Sequence, residues 1–187
     1  SKIKSIRGYT MFQMFSFRDC KHDVPYLMRK ESQASEKLGD LIRSVGAPRV
    51  MVNDNAKAMT GHEWLKVLRT HCIDDHCSEA YHQNQNLAER RGGDLKTGII
   101  KLFHYSPDRA PLEFWCYAFE FIILVRGVLA RQSLDWRPSE EVLYGETLDI
   151  SVFRFPWFSP IWYLDPRRSF PMDKITSGYF LGVANNV

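Results

Sequence analysis

The spacing of apolar residues changes type within the first 46 residues. YTMFQMFSF (9–17) is rich in aromatic and β-favouring residues, and VPYLMRK (24–30) follows after the turn-like RDCKHD (18–23). This pattern predicts a β-hairpin. The next segment has apolar residues at helical spacing, with Ser32 or Ser35 available as a cap and Gly46 as the stop, which predicts a helix. Its apolar positions are Ala34, Leu38, Leu41, Ile42 and Val45.

Short apolar segments then alternate with helical ones. RVMVND (49–54) predicts a buried strand, because such runs between helices are covered on both faces. GHEWLKVLRTHCI (61–73) predicts a helix with Trp64, Val67 and Leu68 on one face, and DDHCSEAY (74–81) a short extended piece. Helical patterns follow from Asn86 to about Phe103 and from about Pro111 to Arg131. This order favours an α/β layer fold over a helical bundle.

The last 35 residues or so have a different pattern. FRFPWFSPIWYLD (153–165) and SGYFLGVA (177–184) are rich in aromatic residues. The first segment is interrupted by prolines and the second by glycines. They predict short strands in a small β region that starts near Phe153. We therefore expect two parts, residues 1–150 and residues 151–187.

Composition narrows the class of protein only moderately. The chain has 187 residues, of which 44% are hydrophobic and 25% charged, as in globular domains. A net charge of +3 permits a nucleic-acid partner without requiring one. The four cysteines form no CxxC pair, and SKIKSIRGYT (1–10) is basic without the apolar segment of a secretory signal, so we expect free thiols in a reduced intracellular compartment. The apolar run 114–125 contains Glu120 and is too short for a membrane span.

Asp54 and Glu89 are the two candidate catalytic carboxylates. Asp54 ends a predicted strand, where ligands gather in open α/β sheets, although Asp-Asn also favours a simple turn. Glu89 follows Asn86 at the spacing of a capping box, a structural role that would explain this glutamate without any catalytic function. It also borders the apolar stripe of its helix and can face a cleft. Carboxylates of this kind suit Mg²⁺, and two such ions about 4 Å apart support phosphoryl transfer.

Four segments resemble one known family. They are VNDNAK (52–57), SEAYHQNQNLAERR (78–91), YGETLDISVF (144–153) and LDPRRSFPMDKITSGYFLGVA (164–184). Together they are similar to the integrase region of copia-type LTR retrotransposon polyproteins, within the retroviral-integrase-like Asp/Asp/Glu superfamily. The first two segments are typical of retroviral-type integrases, and the last one points to the copia group.

The resemblance implies an RNase H-like mixed sheet flanked by helices in residues 1–150, truncated at its N-terminus. Residues 151–187 would be an incomplete C-terminal β region. It implies Mg²⁺ or Mn²⁺, two ions, held by Asp54 as the second Asp and Glu89 as the Glu. The first Asp would precede Ser1, since Asp19 and Asp23 are better explained as turn formers.

The resemblance also implies DNA contacts. The loop before the catalytic helix would hold the DNA end, with Tyr81, His82, Gln83, Asn84 and Asn86. On the helix, Arg90, Arg91 and Lys96 would contact phosphates, although plain surface charge explains each equally well. No zinc site is expected, because His71, Cys72, His76, Cys77 and His82 lack zinc-ligand spacing.

The implied activity is 3′-end processing and DNA strand transfer. The implied partners are retroelement and target DNA and further copies of the chain, within a longer polyprotein and without a membrane. The expected location is the nucleus, with a cytoplasmic particle stage. One alternative is an inactive DNA-binding remnant, since Gly92, Gly93 and Gly98 weaken the catalytic helix. RNase H-type cleavage of RNA–DNA hybrids is another.

Overall fold

The computed structural model describes residues 3–53, 57–77, 87–146 and 149–183. The chain forms two compact units, Ser1–Asp94 and Leu95–Val187. Each unit has its own apolar core, and the boundary between the units falls within the long helix that carries Glu89. The boundary that we predict near residue 150 remains a prediction about domain organisation.

The predicted hairpin is confirmed. Strand β1 (Met11–Ser16) pairs antiparallel with β2 (Asp23–Met28), and the register runs from Met11 opposite Met28 to Ser16 opposite Asp23. The backbone N–H of Phe17 donates to the carbonyl oxygen of His22 at 2.8 Å and closes the turn. Lys21 takes up the reversal in a left-handed conformation, with φ of 55°.

The first helix, α1 (Ala34–Val45), is also where the apolar spacing predicts it. It begins differently from the prediction: a 3₁₀ turn over Glu31–Gln33 precedes it, and the capping residue is Gln33. The Gln33 Oε1 accepts hydrogen bonds from the backbone N–H groups of Arg29 and Lys30, at 2.8 and 3.2 Å. These bonds hold the start of the 3₁₀ turn, whereas the Gln33 side chain makes no capping hydrogen bond to α1.

Helices α2 (Lys57–Thr60) and α3 (His62–Thr70) complete the helical layer of the first unit. The core combines Phe15 of β1 with Leu38 and Leu41 of α1 and with Trp64 of α3. Trp64 is buried and stacks parallel to Phe15, with ring centroids 6.4 Å apart. Trp64, Val67 and Leu68, which the sequence places on one face of this helix, all pack in this core.

Strand β3 (Val50–Asn53) pairs parallel with β4 (Asp74–Cys77). The prediction of a buried strand is wrong for two of its residues, since Val50 is 43% and Val52 51% exposed. Met51 packs against the core, and neighbouring side chains on a strand point to opposite faces. Val50 and Val52 therefore share the exposed face of β3, opposite Met51, and in the described part of the chain β4 is the one strand that pairs with β3.

Helix α4 (Leu87–Tyr105) is continuous through Gly92, Gly93 and Gly98. In the second unit it is followed by α5 (Trp115–Val128), and the two helices meet at Gly98. A methyl group on residue 98 would lie 3.4 Å from Cδ1 of Ile122, an ordinary van der Waals distance, so α4 and α5 are in contact at this point. The predicted apolar stripe is confirmed, because Ile99, Leu102 and Phe103 pack around a core that contains Ala118, Trp157 and Phe158.

The rest of the second unit consists of short elements. They are β5 (Ala130–Arg131), β6 (Arg137–Pro138), α6 (Ser139–Tyr144), β7 (Pro160–Leu164) and β8 (Ile175–Tyr179). β7 and β8 are antiparallel, with Pro160 opposite Tyr179 and Leu164 opposite Ile175. Phe158 anchors this pair to the core by stacking on Tyr179, with ring centroids 4.4 Å apart.

Two further observations concern the cysteines and the lengths of the helices. Cys20, Cys72 and Cys116 are free thiols, as the sequence predicts for them. Within the described ranges, no helix has the length and apolar character needed to cross a membrane.

Glu140 gives a pH-dependent prediction. Its half-buried side chain lies over Gly127 of α5, and burial raises the pKa of its carboxyl group. The pKa of Glu140 is higher in the folded protein than in the unfolded chain. Raising the pH ionises this carboxyl group more readily in the unfolded chain, and the free energy of unfolding therefore falls. We expect Glu140→Gln to match the wild type below about pH 4 and to exceed it at pH 7. Solvent screening keeps the gain below about 1 kcal/mol.

The check is urea unfolding of both proteins at pH 3.5 and pH 7. Glu113→Gln, an exposed carboxylate in the same unit, is the matched control and should show no pH-dependent difference. An equal effect of Glu140→Gln at both pH values would contradict the assignment.

Candidate metal and nucleic-acid site

The predicted site residues divide into those that the structure describes and those that it does not. Asp54 lies outside the described residues, as does the predicted DNA-end loop with Tyr81, His82, Gln83, Asn84 and Asn86. The roles of these six residues stay predictions. The elements that flank them are described: β3 ends at Asn53, β4 ends at Cys77 and α4 begins at Leu87.

Glu89 lies in the first turn of α4, and its side chain is exposed. A carboxylate in this position interacts favourably with the partial positive charge of a helix N-terminus. The capping alternative therefore keeps its physical basis, while exposure leaves the carboxylate accessible to a cation. One side chain can serve both roles, since helix stabilisation and ligation each require the ionised carboxylate.

A polar contact joins β3 and β4 next to Asp54. Asn53 is buried, and its Nδ2 donates to Oδ1 of Asp75 at 2.6 Å. This bond fixes the end of β3, directly before the predicted catalytic Asp54. Sequence reasoning missed the pair, although Asp74-Asp75 on a strand parallel to β3 was a signal that could have suggested it.

Arg90 and Lys96 are exposed on α4, as a phosphate contact requires. Arg91 differs from the prediction, because its side chain is only 7% exposed. Its Nη1 donates to Oδ1 of Asp23 at 2.7 Å and lies 3.4 Å from the carbonyl oxygens of Phe17 and His22. The structure thus places Arg91 in a buried ion pair, where the sequence predicts an exposed contact with DNA.

The same pair corrects the interpretation of Asp23. We expected it to form the turn of the hairpin, but it is the first residue of β2 and is buried. Its Oδ1 also accepts a hydrogen bond from Oγ of Ser16 at 2.7 Å. Asp23 is therefore the charge partner of Arg91, and the turn is made by the residues between Ser16 and Asp23.

The donor chemistry of the candidate site suits a hard divalent cation. Glu89 offers carboxylate oxygens in an exposed position, and such oxygens are the ligands that Mg²⁺ prefers. Within residues 3–53, 57–77, 87–146 and 149–183, no three His, Cys, Asp or Glu side chains come close enough to hold a metal ion. A complete site would therefore need Asp54 or other residues outside these ranges.

Comparison with solved structures shows what the fold is similar to. A chain of the simian T-cell lymphotropic virus intasome, in complex with PP2A regulatory subunit B56 gamma, superposes with a TM-score of 0.62 and 18% identity over 88% of this chain. This protein spans 59% of that chain. The HTLV-2 integrase catalytic core domain in complex with magnesium, in its dimeric form, gives 0.58 and 13% identity, over 78% of this chain and 91% of that one.

The catalytic core domain of BIV integrase gives a TM-score of 0.55 and 14% identity, over 78% of this chain and 91% of that domain. No family model and no curated protein sequence matches the chain. At identities this low the likeness concerns the fold alone. This chain has a mixed α/β fold of helices and small sheets that is similar to retroviral integrase catalytic cores.

Proposed function

We propose that the chain is the catalytic core of a copia-type retrotransposon integrase, a metal-dependent enzyme that processes DNA 3′ ends and transfers them into target DNA. The observation that carries the proposal is the exposed Glu89 on the first turn of α4, in a fold similar to integrase catalytic cores. The family-like segments around Asp54 and Glu89 support the same conclusion independently of the fold.

The proposed site is an Asp/Asp/Glu set within an RNase H-like core. Asp54 and Glu89 would hold Mg²⁺ or Mn²⁺, together with an Asp that the resemblance places before Ser1. When bound, such ions favour the attack of an oxygen nucleophile on a phosphodiester and the departure of the leaving oxygen. Glu89 would take part as an ionised carboxylate, held at the start of α4.

The HTLV-2 structure supports the choice of cation, because that catalytic core was solved in complex with magnesium. Its dimeric form and the viral intasome also support our proposal that this chain assembles with further copies of itself and with DNA. We extend the proposal to residues 151–187 as an aromatic β region that follows the core, and to a nuclear site of action with a cytoplasmic particle stage.

Two exposed cations on α4 give a test of DNA binding. Each phosphate contact that is lost should lower the salt dependence of binding by about one unit in the slope of log K against log salt. We expect Arg90→Gln/Lys96→Gln to reduce this slope by about two and to weaken binding to all duplex sequences alike. Fluorescence anisotropy at several salt concentrations measures both quantities.

Lys66→Gln/Arg69→Gln on α3 is the matched control, because it removes the same charge from exposed positions of another helix. Its slope should stay close to that of the wild type. Equal slopes for the two double variants would mean that Arg90 and Lys96 are ordinary surface charges.

The reaction itself separates the proposal from its alternatives. A longer polypeptide that includes this chain and the residues before it should join a DNA 3′ end to a target duplex when Mg²⁺ is present. DNA binding without joining would favour an inactive remnant. Cleavage of an RNA–DNA hybrid in preference to joining would favour an RNase H-type enzyme.

A further inference from the structure

The buried ion pair of Arg91 and Asp23 joins the start of α4 to the hairpin. The two side chains are 7% and 4% exposed, and 68 positions separate them in the sequence. Through one nitrogen, Arg91 reaches the Asp23 carboxylate and the two carbonyl oxygens of Phe17 and His22. It therefore contacts both sides of the closing turn between β1 and β2.

The position of each group in this pair is constrained from a second direction. Ser16 Oγ donates to the same Asp23 oxygen that Arg91 contacts, so the carboxylate is oriented by its own hairpin. The carbonyl of His22 is held by the backbone N–H of Phe17, which closes the turn. The acceptors that meet Arg91 thus belong to one hydrogen-bonded unit and not to a loose loop.

The next residue of α4 lies close to strand β1 on the same side. Gly92 is buried, and a methyl group placed on it would lie 3.7 Å from Cε of Met14 on β1. Residues two positions apart in an α-helix point in directions that differ by about 200°, so Glu89 points almost opposite to Arg91. Fixing Arg91 and Gly92 on the hairpin therefore directs Glu89 toward the exposed side of the helix.

We propose that Arg91, through Asp23, is a positioning residue that sets the placement of Glu89. The inference rests on the proposed function of Glu89 as a metal-binding carboxylate. Arg91 touches neither DNA nor metal in this role: it fixes the rotation and height of the first two turns of α4 against β1 and β2.

The first measurement uses the chain alone and needs no metal. We expect Arg91→Gln to speed hydrogen exchange of the amides of residues 90–94 at least tenfold more than it speeds exchange in α1, which reports the overall loss of stability. Arg91→Lys keeps the charge and should recover part of the protection. Arg90→Gln, its exposed neighbour, is the control and should leave exchange at the wild-type rate.

The second measurement follows the reaction in the longer polypeptide. Arg91→Gln should lower kcat for DNA joining at least tenfold and raise the Mg²⁺ concentration needed for half-maximal rate, with DNA affinity within about twofold of the wild type. A purely structural residue would lower the active fraction and leave the Mg²⁺ requirement unchanged. Lys101→Gln, at an exposed position of α4 for which no role is proposed, should leave both kcat and the Mg²⁺ requirement at the wild-type values.

If a single variant fails to fold, Asp23→Asn/Arg91→Gln removes both buried charges together and keeps the test available. Wild-type exchange and kcat in a folded Arg91→Gln protein or in this double variant would overturn the inference. A failure of the proposed function would look different. In that case Glu89→Gln would retain full DNA-joining activity, whatever effect Arg91→Gln has on hydrogen exchange in α4.

Discussion

Replacement of Glu89 by Gln should abolish Mg²⁺-dependent strand transfer, with a loss of at least about 100-fold, in a longer polypeptide that contains this chain. The amide keeps the size of the side chain but removes the negative charge that a divalent cation needs. Because Glu89 is exposed on α4, folding should change little. Strand transfer on labelled DNA and a thermal melt of the same preparation measure the two quantities.

The helix offers a matched control. Asp94 is an exposed carboxylate on α4, five positions after Glu89, and no role in the site is proposed for it. Asp94→Asn should retain strand transfer, whereas Asp54→Asn should lose it as Glu89→Gln does. Activity that survives in Glu89→Gln would show that the metal assignment is wrong, and a large fall in melting temperature would favour the capping role.

Removal of one partner of the buried Asp23–Arg91 pair should destabilise the protein by about 3–5 kcal/mol. The reason is that an uncompensated charge stays buried, away from water. We expect Asp23→Ala and Arg91→Met each to have this effect in urea unfolding. The double variant should be more stable than either single one, because it leaves no charge behind.

An exposed ion pair of the same chemistry is the control. Arg137 Nε lies 3.0 Å from Oε1 of Glu141, with the arginine side chain 52% exposed. Solvent and salt screen such a pair, so Arg137→Met should change stability by less than about 1 kcal/mol. Similar effects at the two arginines would mean that burial does not govern the Asp23–Arg91 pair.

Local sequence patterns predicted most of the regular structure. The hairpin 9–30 and the helices around Leu38, Trp64 and Ile99 follow from the spacing of apolar residues, which reflects contacts between positions close in the chain. The space around the glycines of α4 does not by itself require them, since a methyl group at position 92 or 98 would lie 3.7 Å from Met14 or 3.4 Å from Ile122, which is ordinary van der Waals contact.

Contacts between distant positions were beyond sequence reasoning. Arg91 and Arg90 are adjacent and identical in type, yet one is buried and the other exposed. The difference depends on Asp23, which looks like an ordinary turn residue in RDCKHD. Likewise, the sequence VMVN (50–53) is compatible with a strand that is covered on both faces. In the structure this strand, β3, has both valines exposed to solvent. For the candidate site, the sequence indicates Glu89 through its family-like surroundings.

The exposed valines of β3 have a practical consequence for measurements of assembly. A strand with uncovered apolar side chains and one described neighbour is a surface on which another polypeptide can add a strand. Copies of the chain that associate in this way would scatter light and elute early without forming a functional complex. Val50→Lys/Val52→Lys, which charges this surface, separates the two kinds of association: edge-to-edge aggregates should dissolve, and an assembly built for DNA joining should persist.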